Sequence, residues 1–289
     1  MIKPDWNEIA LKIGDDLEPA ELNVEWRRAC DNWLLSVANE FEGSYRIESS
    51  ENFSILSNEN ERYVNVFTSF LEQTLKKILK TLNGIASDEG LGNHVAIIFE
   101  NIDDYYKYVG MFYPDEGEFG LSSGMYINEG YGHFVFPSQE VSYAEPIAVH
   151  ELTHACLAHL PIPVWLNEGL AVSMEEALAG IGLYVDADLI ARHKSHWNSE
   201  TIQNFWSGDG FYASSEEQEL SYNLAHILVK NLCEKFDIFI GFTNNANFED
   251  AGESAAKEFL GVSLSDVIVA FLGEGNWTPS KNLKSIFNA

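Results

Sequence analysis

The chain has 289 residues, 46% of them hydrophobic and 13% aromatic, so it can bury a sizeable core as one large domain or two small ones. Its formal net charge of −28 argues against a nucleic-acid partner, because binding phosphates needs a basic surface. The acidic residues are dispersed along the chain, which favours a role in solubility; electrostatic steering of basic peptides is the alternative.

The cysteines and the apolar runs of the chain indicate in which cellular compartment the protein is expected. Cys30, Cys156 and Cys233 are far apart and form no C-x-x-C motif, so the sequence predicts neither a disulfide framework nor a thiolate metal site. The N-terminus lacks a basic segment followed by an apolar run, and no stretch has the length of a membrane span. We therefore expect a cytoplasmic protein with no membrane partner, and the sequence leaves its oligomeric state open.

The N-terminal part is predicted to be mainly helical. Apolar spacing from Trp6 to Glu42 predicts two short helices, and Ser44 to Leu56 is typical of strand and turn. Asn60 to Leu82 predicts an amphipathic helix with a broad apolar stripe. The polar, glycine-containing loop from Asn83 to Gly92 then marks a boundary.

The middle of the chain is predicted to hold strands followed by one helix. His94 to Phe99 is a short apolar, β-branched run, and Asp103 to Val109 favours a helix. Two strand-like runs, Leu121 to Asn128 and Gly132 to Phe136, indicate a hairpin. The next helix is expected to begin at Glu145-Pro146, because proline is tolerated in a first helical turn.

The C-terminal part is again predicted to be helical. Helices are expected over Asp186 to Trp197, Glu216 to Phe236, Asp250 to Leu260 and Leu264 to Leu272. Phe205 to Tyr212 is interpreted as a glycine-punctuated aromatic loop that could line a cleft.

A five-residue motif, His150-Glu151-Leu152-Thr153-His154, lies within the middle helix. Residues four apart share one face of a helix, so the two imidazoles can bind one zinc ion with a carboxylate beside the first of them. Neutral imidazole is a zinc ligand, and the free carboxylate of Glu151 suits a general base. A chance match on a core helix is the alternative that five residues alone leave open.

A second segment strengthens the prediction of a metal site. Trp165-Leu166-Asn167-Glu168-Gly169-Leu170-Ala171 follows two prolines and places Glu168 fourteen residues (168 − 154) after His154. Glu168 could therefore return to the metal from the next helix. Two histidines and one glutamate leave a fourth position for water, as in catalytic zinc sites.

Together these segments resemble the gluzincin metallopeptidases, most closely the peptidase MA-like branch, in which HExxH is followed at short range by WLxEGLA. The resemblance implies one Zn²⁺ held by His150, His154 and Glu168, with Glu151 as the general base. It also implies an α+β fold, with a thermolysin-like zincin core that contains a small mixed sheet and the zinc-binding helix. We expect a mainly helical region over 1–90, that core over 91–180 and a helical subdomain over 181–289.

The sequence excludes two other third-ligand spacings and departs from the family pattern at one position. The third ligand of thermolysin-type enzymes would fall on Met174, and that of aminopeptidases on Ser173; neither side chain suits the role. Many gluzincins have an acid four residues after the third ligand to orient a zinc-bound histidine, where this chain has Val172. Glu175, Glu176 or a backbone carbonyl would have to take that part.

Further site residues follow from the same resemblance. Gluzincins bind the extended substrate backbone at an edge strand, for which Gly124, Met125 and Tyr126 are the candidates here; an ordinary hairpin is the alternative. They also use a downstream Tyr or His to stabilise the oxyanion. Tyr222 and His226 are the candidates, with Tyr222 preferred because SYxxA segments recur in similar proteins, and packing residues are the alternative.

The other histidines are weaker metal-ligand candidates. His159 lies about 140° around the helix from His154, and His133 is interpreted as a surface or packed residue. His193 and His196 are three apart and could form a second metal pair, although the sequence indicates no acidic or cysteine partner.

The sequence thus predicts a zinc-dependent peptidase that acts on a peptide or protein substrate, not on nucleic acid. Two alternatives stay open: a zincin scaffold that binds a partner without catalysis, and a zinc hydrolase that cleaves a non-peptide amide. The identity of the substrate and the choice between endopeptidase and exopeptidase action are not predicted.

Overall fold

The computed structural model describes residues 3–14, 16–88, 90–113, 124–213 and 216–280. The chain divides into two compact units, Met1–Thr81 with Ser87–Cys156, and Leu82–Ala86 with Leu157–Ala289. The predicted division at residues 90 and 180 stays a prediction.

The first unit combines helices with all the strands of the described chain. Its helices are α1 Trp6–Ile13, α2 Pro19–Ala38, α3 Glu61–Thr81, α4 Ile102–Val109 and, up to Cys156, α5 Val141–Leu157. Its strands are β1 Arg46–Ser49, β2 Phe53–Ser57, β3 His94–Phe99, β4 Met125–Ile127 and β5 His133–Pro137. These elements confirm the strands and helices predicted for this part, except that α2, with 20 residues, is not short and α5 begins before the predicted residue. Residues 121–123 of the predicted hairpin lie outside the described residues.

The five strands form one mixed sheet in the order β1-β2-β3-β5-β4. The pairs β2–β3 and β3–β5 are parallel, whereas β1–β2 and β4–β5 are antiparallel. The central strands are buried almost throughout, which explains why they are continuous apolar runs. The predicted hairpin is thus confirmed as β4–β5, and β4 is an edge strand of the sheet.

Aromatic rings fix α1 and α2 to the first unit's core. The ring of Trp6 lies 5.5 Å from that of Trp33 and 5.1 Å from that of Tyr131, centroid to centroid. Trp33 and Tyr131 are buried. Rings at these separations attract each other beyond the burial of their area, so α1, although short, is held in place.

Helix α5 begins earlier than the sequence predicts. It starts at Val141, so Pro146 lies inside the helix instead of in its first turn. Proline lacks the N–H that would bond to the carbonyl four residues back, and here that carbonyl belongs to Ser142. The missing hydrogen bond lies within the first two turns of α5, so the helix can extend upstream of Pro146.

The second unit is helical over its described residues. Its helices are α6 Val164–Ala179, α7 Ala187–His196, α8 Ile202–Ser207, α9 Glu216–Leu232, α10 Phe236–Asn245, α11 Glu253–Ala255 and α12 Leu264–Leu272. Short 3₁₀ turns span Asp209–Phe211, Cys233–Lys235 and Phe248–Asp250, and Ala256–Leu260 is a π-helical turn. Among the described residues, no helix combines the length and apolar character needed to cross a membrane.

Helices α6 and α9 approach each other closely at Gly169. A Cβ atom added to Gly169 would lie 2.6 Å from Cγ2 of Val229 and 2.7 Å from the carbonyl oxygen of Ala225. Only a residue without a side chain allows this approach. The glycine of the WLNEGLA segment therefore has a packing role in the second unit.

The interpretation of Phe205 to Tyr212 as a cleft-lining loop is wrong for most of its residues. Residues up to Ser207 belong to α8, and Asp209–Phe211 is a 3₁₀ turn. The rings of Phe205, Trp206 and Phe211 are buried in the second unit, since together they supply much of its apolar core. Tyr212 is exposed.

Candidate metal centre

His150 and His154 lie one turn apart on α5. Their ring centroids are 4.6 Å apart with an angle of 81° between the rings, and both side chains are half-buried. The helical spacing alone brings the two imidazoles to one face, as the sequence predicts. Their partial exposure leaves the pair reachable from solvent.

Glu168 is the third member of the group. It belongs to the first half of α6 and is only 9% exposed. One ligand atom each from His150, His154 and Glu168 lies within 4.8 Å of the other two. In the described part of the chain, this is the one group of three or more His, Cys, Asp or Glu residues whose atoms converge closely enough to hold a metal ion.

The donor set fits a metal ion in type and spacing. Four-coordinate zinc with bonds of about 2.1 Å places its ligand atoms about 3.4 Å from one another, which the 4.8 Å limit allows. Two imidazole nitrogens and one carboxylate oxygen are ligands that zinc accepts. This set, two half-buried histidines and a glutamate with little exposure, is therefore able to bind one divalent ion and leave a position for a further ligand.

Glu151 follows the first histidine and contacts the edge strand. The backbone N–H of Tyr126 in β4 donates a 2.6 Å hydrogen bond to Oε2 of Glu151. Glu151 is half-buried, and Tyr126 is half-buried on the edge strand. The structure thus brings together the predicted general base and Tyr126, the last of the three predicted substrate-binding residues Gly124, Met125 and Tyr126.

His226 has a carboxylate partner in the second unit. Its Nε2 atom lies 2.9 Å from Oε2 of Glu176, and Nζ of Lys230 donates to both oxygens of the same carboxylate at 2.8 and 2.9 Å. Burial lowers the pKa of His226, and the nearby Glu176 opposes that effect in part. Glu176, one candidate for orienting a zinc-bound histidine, is thus in contact with His226 and Lys230, and its orienting role stays a prediction.

Tyr222, the other oxyanion candidate, lies one turn before His226 on α9. Its ring meets that of Phe211 edge-on at 5.2 Å, and its side chain is half-buried. The oxyanion roles of Tyr222 and His226 and the substrate-binding role of β4 stay predictions.

The remaining histidines do not belong to the metal group. His133 is buried, with Nε2 2.9 Å from the hydroxyl of Tyr108 and Nδ1 2.7 Å from the carbonyl oxygen of Tyr131. Burial lowers its pKa to about 4. His133 is therefore a packed histidine, one of the two roles predicted for it.

His159 lies beyond the end of α5 and is exposed. Nδ1 of His193 accepts a 3.0 Å hydrogen bond from Nε1 of Trp197. Nε2 of His196 lies 3.7 Å from a carboxylate oxygen of Glu217. The described residues give the pair His193 and His196 no third ligand, so the second metal site is not supported.

Two features of the site escaped sequence reasoning. The contact of Tyr126 with Glu151 depends on a backbone N–H of one element meeting a side chain of another, for which the sequence carries no local signal. The close approach at Gly169 could have been suspected, because a glycine inside a helical pattern usually has a packing reason.

Comparison of the chain with protein-family models and with curated protein sequences found no match.

Proposed function

We propose that the protein is a zinc-dependent peptidase of the gluzincin type, of the peptidase MA-like branch. The observation that supports the proposal is the convergence of ligand atoms from His150, His154 and Glu168 within 4.8 Å. The two histidines belong to α5, where Glu151 directly follows the first of them. Three protein ligands and an accompanying carboxylate are the composition of a catalytic zinc site.

Each residue of the group has a defined part in peptide hydrolysis. His150, His154 and Glu168 hold the ion, which when bound acidifies a water molecule and polarises the substrate carbonyl. Glu151 accepts a proton from the attacking water and passes it to the leaving amine. A carboxylate has about four acceptor sites, so the hydrogen bond from Tyr126 is compatible with this exchange.

The substrate side of the proposal rests on the edge strand. An extended peptide can add to β4 through main-chain hydrogen bonds, which gives affinity with little demand on side-chain identity. Tyr222 or His226 would donate to the oxyanion, which is worth on the order of a hundredfold or more in rate.

The test combines metal content with hydrolysis. Purified wild type is compared with Glu168→Ala, Glu151→Gln and, as a matched control, His159→Ala, which removes an exposed histidine outside the group. Zinc is measured by elemental analysis after dialysis, and cleavage is followed on a mixed peptide library by mass spectrometry.

We expect about one zinc per chain in wild type and in the control, and a marked loss of zinc in Glu168→Ala. Glu151→Gln should keep its zinc and lose on the order of 10²- to 10⁴-fold in cleavage rate. Zinc that is unaffected by Glu168→Ala would exclude this ligand set. Full zinc with no cleavage of any peptide by the wild type would instead favour a binding scaffold or a hydrolase of another amide.

A further inference from the structure

The chain at β4 contacts helix α5 at two places, Gly124 just before the strand and Tyr126 within it. A Cβ atom added to Gly124 would lie 2.6 Å from Cγ2 of Ile147, so the strand backbone is pressed against the helix there. Two residues later, the N–H of Tyr126 meets the carboxylate of Glu151, which is four residues after Ile147. Two extended residues advance about 6.7 Å and four helical residues about 6.0 Å, so the chain from Gly124 to Tyr126 can keep both contacts with α5 at once.

The N–H of Tyr126 points away from the sheet. In an antiparallel pair, residues alternate between those whose backbone groups face the partner strand and those whose groups face outward. Tyr126 is opposite Phe134 of β5, and its N–H is bonded to Glu151, so it is an outward-facing residue. The donor that an edge strand would normally offer to an added peptide is thus engaged by the protein itself.

From this geometry we infer that the backbone N–H of Tyr126 is a positioning group for the general base. It fixes one oxygen of Glu151 and so sets the orientation of the carboxylate beside the first metal ligand. The tight packing of Gly124 on Ile147 holds the strand at the distance that the hydrogen bond requires. While this bond persists, a substrate strand has to pair with β4 through groups other than this N–H.

The side chain of Tyr126 is held separately from its backbone. Its ring lies 5.2 Å from that of Phe134, and its hydroxyl occupies the space where Gly132 lacks a side chain. Changes to the side chain and changes to the N–H can therefore be made independently. Because this inference rests on the proposed function, the contact itself is tested without metal or turnover.

The first measurement uses metal-free protein. Labelling only tyrosine with ¹⁵N gives 12 amide signals, and Tyr126→Phe identifies the signal of residue 126 by removing it. We expect this amide proton to resonate downfield, to exchange slowly with solvent and to shift upfield in Glu151→Ala. An amide shift and exchange rate that are indifferent to Glu151→Ala would overturn the contact.

The second measurement removes the N–H. Tyr126→Pro deletes it without removing a hydrogen bond to β5, since this N–H faces outward, and Tyr126→Ala is the matched control that keeps it. A backbone ester at position 126 removes the same N–H and keeps the tyrosine side chain, so it serves if the proline variant fails to fold.

With zinc bound, we expect kcat of the proline and ester variants to fall on the order of ten- to a hundredfold below Tyr126→Ala. KM and zinc content should stay within about twofold, because the N–H contacts neither substrate nor metal. A kcat equal to that of Tyr126→Ala, or a loss confined to KM, would overturn the positioning role. A zinc-loaded wild type that cleaves no peptide would remove the proposed function, and this role with it, while the amide measurement would still report the contact.

Discussion

Nε2 of His226 on α9 lies 2.9 Å from Oε2 of Glu176 on α6, and Lys230, one turn further along α9, binds the same carboxylate. The two partners differ in environment. His226 is 2% exposed, whereas the side chain of Lys230 is 60% exposed. A buried hydrogen bond contributes more to the free energy of unfolding than an exposed ion pair does. The contact of Glu176 with His226 should therefore stabilise the protein more than its contact with Lys230.

A pair of double-mutant cycles measures this difference. Glu176→Ala combined with His226→Ala should give a coupling energy of about 1–2 kcal/mol, and Glu176→Ala combined with Lys230→Ala less than about 1 kcal/mol. The free energy of unfolding in urea is the measurement. A larger coupling for Lys230 than for His226 would contradict the prediction.

Substitution of Gly169 should destabilise the second unit. In Gly169→Ala the new methyl group would lie 2.7 Å from the backbone oxygen of Ala225, which cannot rotate away. We expect a loss of about 1–3 kcal/mol in the free energy of unfolding. Gly90→Ala is the control, because a Cβ there has no neighbour within 4 Å, and it should change stability by less than about 0.5 kcal/mol. Val229→Ala should restore little of the loss, since the backbone contact remains.

His133 should make the protein less stable in mild acid. Its pKa is lowered to about 4 by burial, against about 6.5 in an unfolded chain. Between these values the unfolded state binds more protons, so stability falls as pH decreases from about 6.5 to about 4. By about pH 4, this residue should have lowered the free energy of unfolding by about 3 kcal/mol.

The pH effect is checked by urea unfolding at several pH values in wild type, His133→Phe and the exposed-histidine control His159→Asn. The phenylalanine variant keeps a ring in contact with Trp33 and Phe112 but cannot titrate. Its stability should depend less on pH across this window than that of wild type and control. Identical pH slopes in all three proteins would contradict the assignment.

The three cysteines should be unreactive in the native protein. Cys30 and Cys156 are buried, Cys233 is half-buried, and burial raises the pKa of all three thiols, to about 12 for Cys30 and Cys233. Because the thiolate is the nucleophile, we expect slow reaction with a thiol reagent at pH 8 and three equivalents after denaturation. Rapid labelling of one native cysteine would be inconsistent with this prediction.

Strong periodic patterns predicted their elements well. The apolar run of β3 is found with the predicted bounds, His94 to Phe99, and the stripe of α3 is one residue shorter at each end than predicted. Both patterns are long or uniform enough to outweigh other local preferences. The start of α5 was missed because Pro146 suits a first turn, and α10 was missed because Phe236–Asn245 is a short apolar run without clear periodicity.

The candidate site, too, could be predicted only where a local sequence pattern specifies the structure. The spacing of His150 and His154 follows from the helix period, so the sequence could place them on one face. The approach of Glu168 was inferred from the two prolines that precede α6 and from the family resemblance, because no pattern within α6 itself specifies where this helix leads. The bond between Tyr126 and Glu151 joins strand β4, which pairs with β5, to helix α5, and no pattern within either segment encodes that contact.

The hydrogen bond from Tyr126 also protects the sheet against unwanted association. An exposed edge strand is a template for aggregation, because its outward N–H and C=O groups can pair with the edge of another molecule. Strand β4 has only three residues, and the outward N–H of its middle residue is capped by a carboxylate from its own chain. Loss of Glu151 by mutation should therefore promote self-association of this edge at high protein concentration, even where folding and metal content are unchanged.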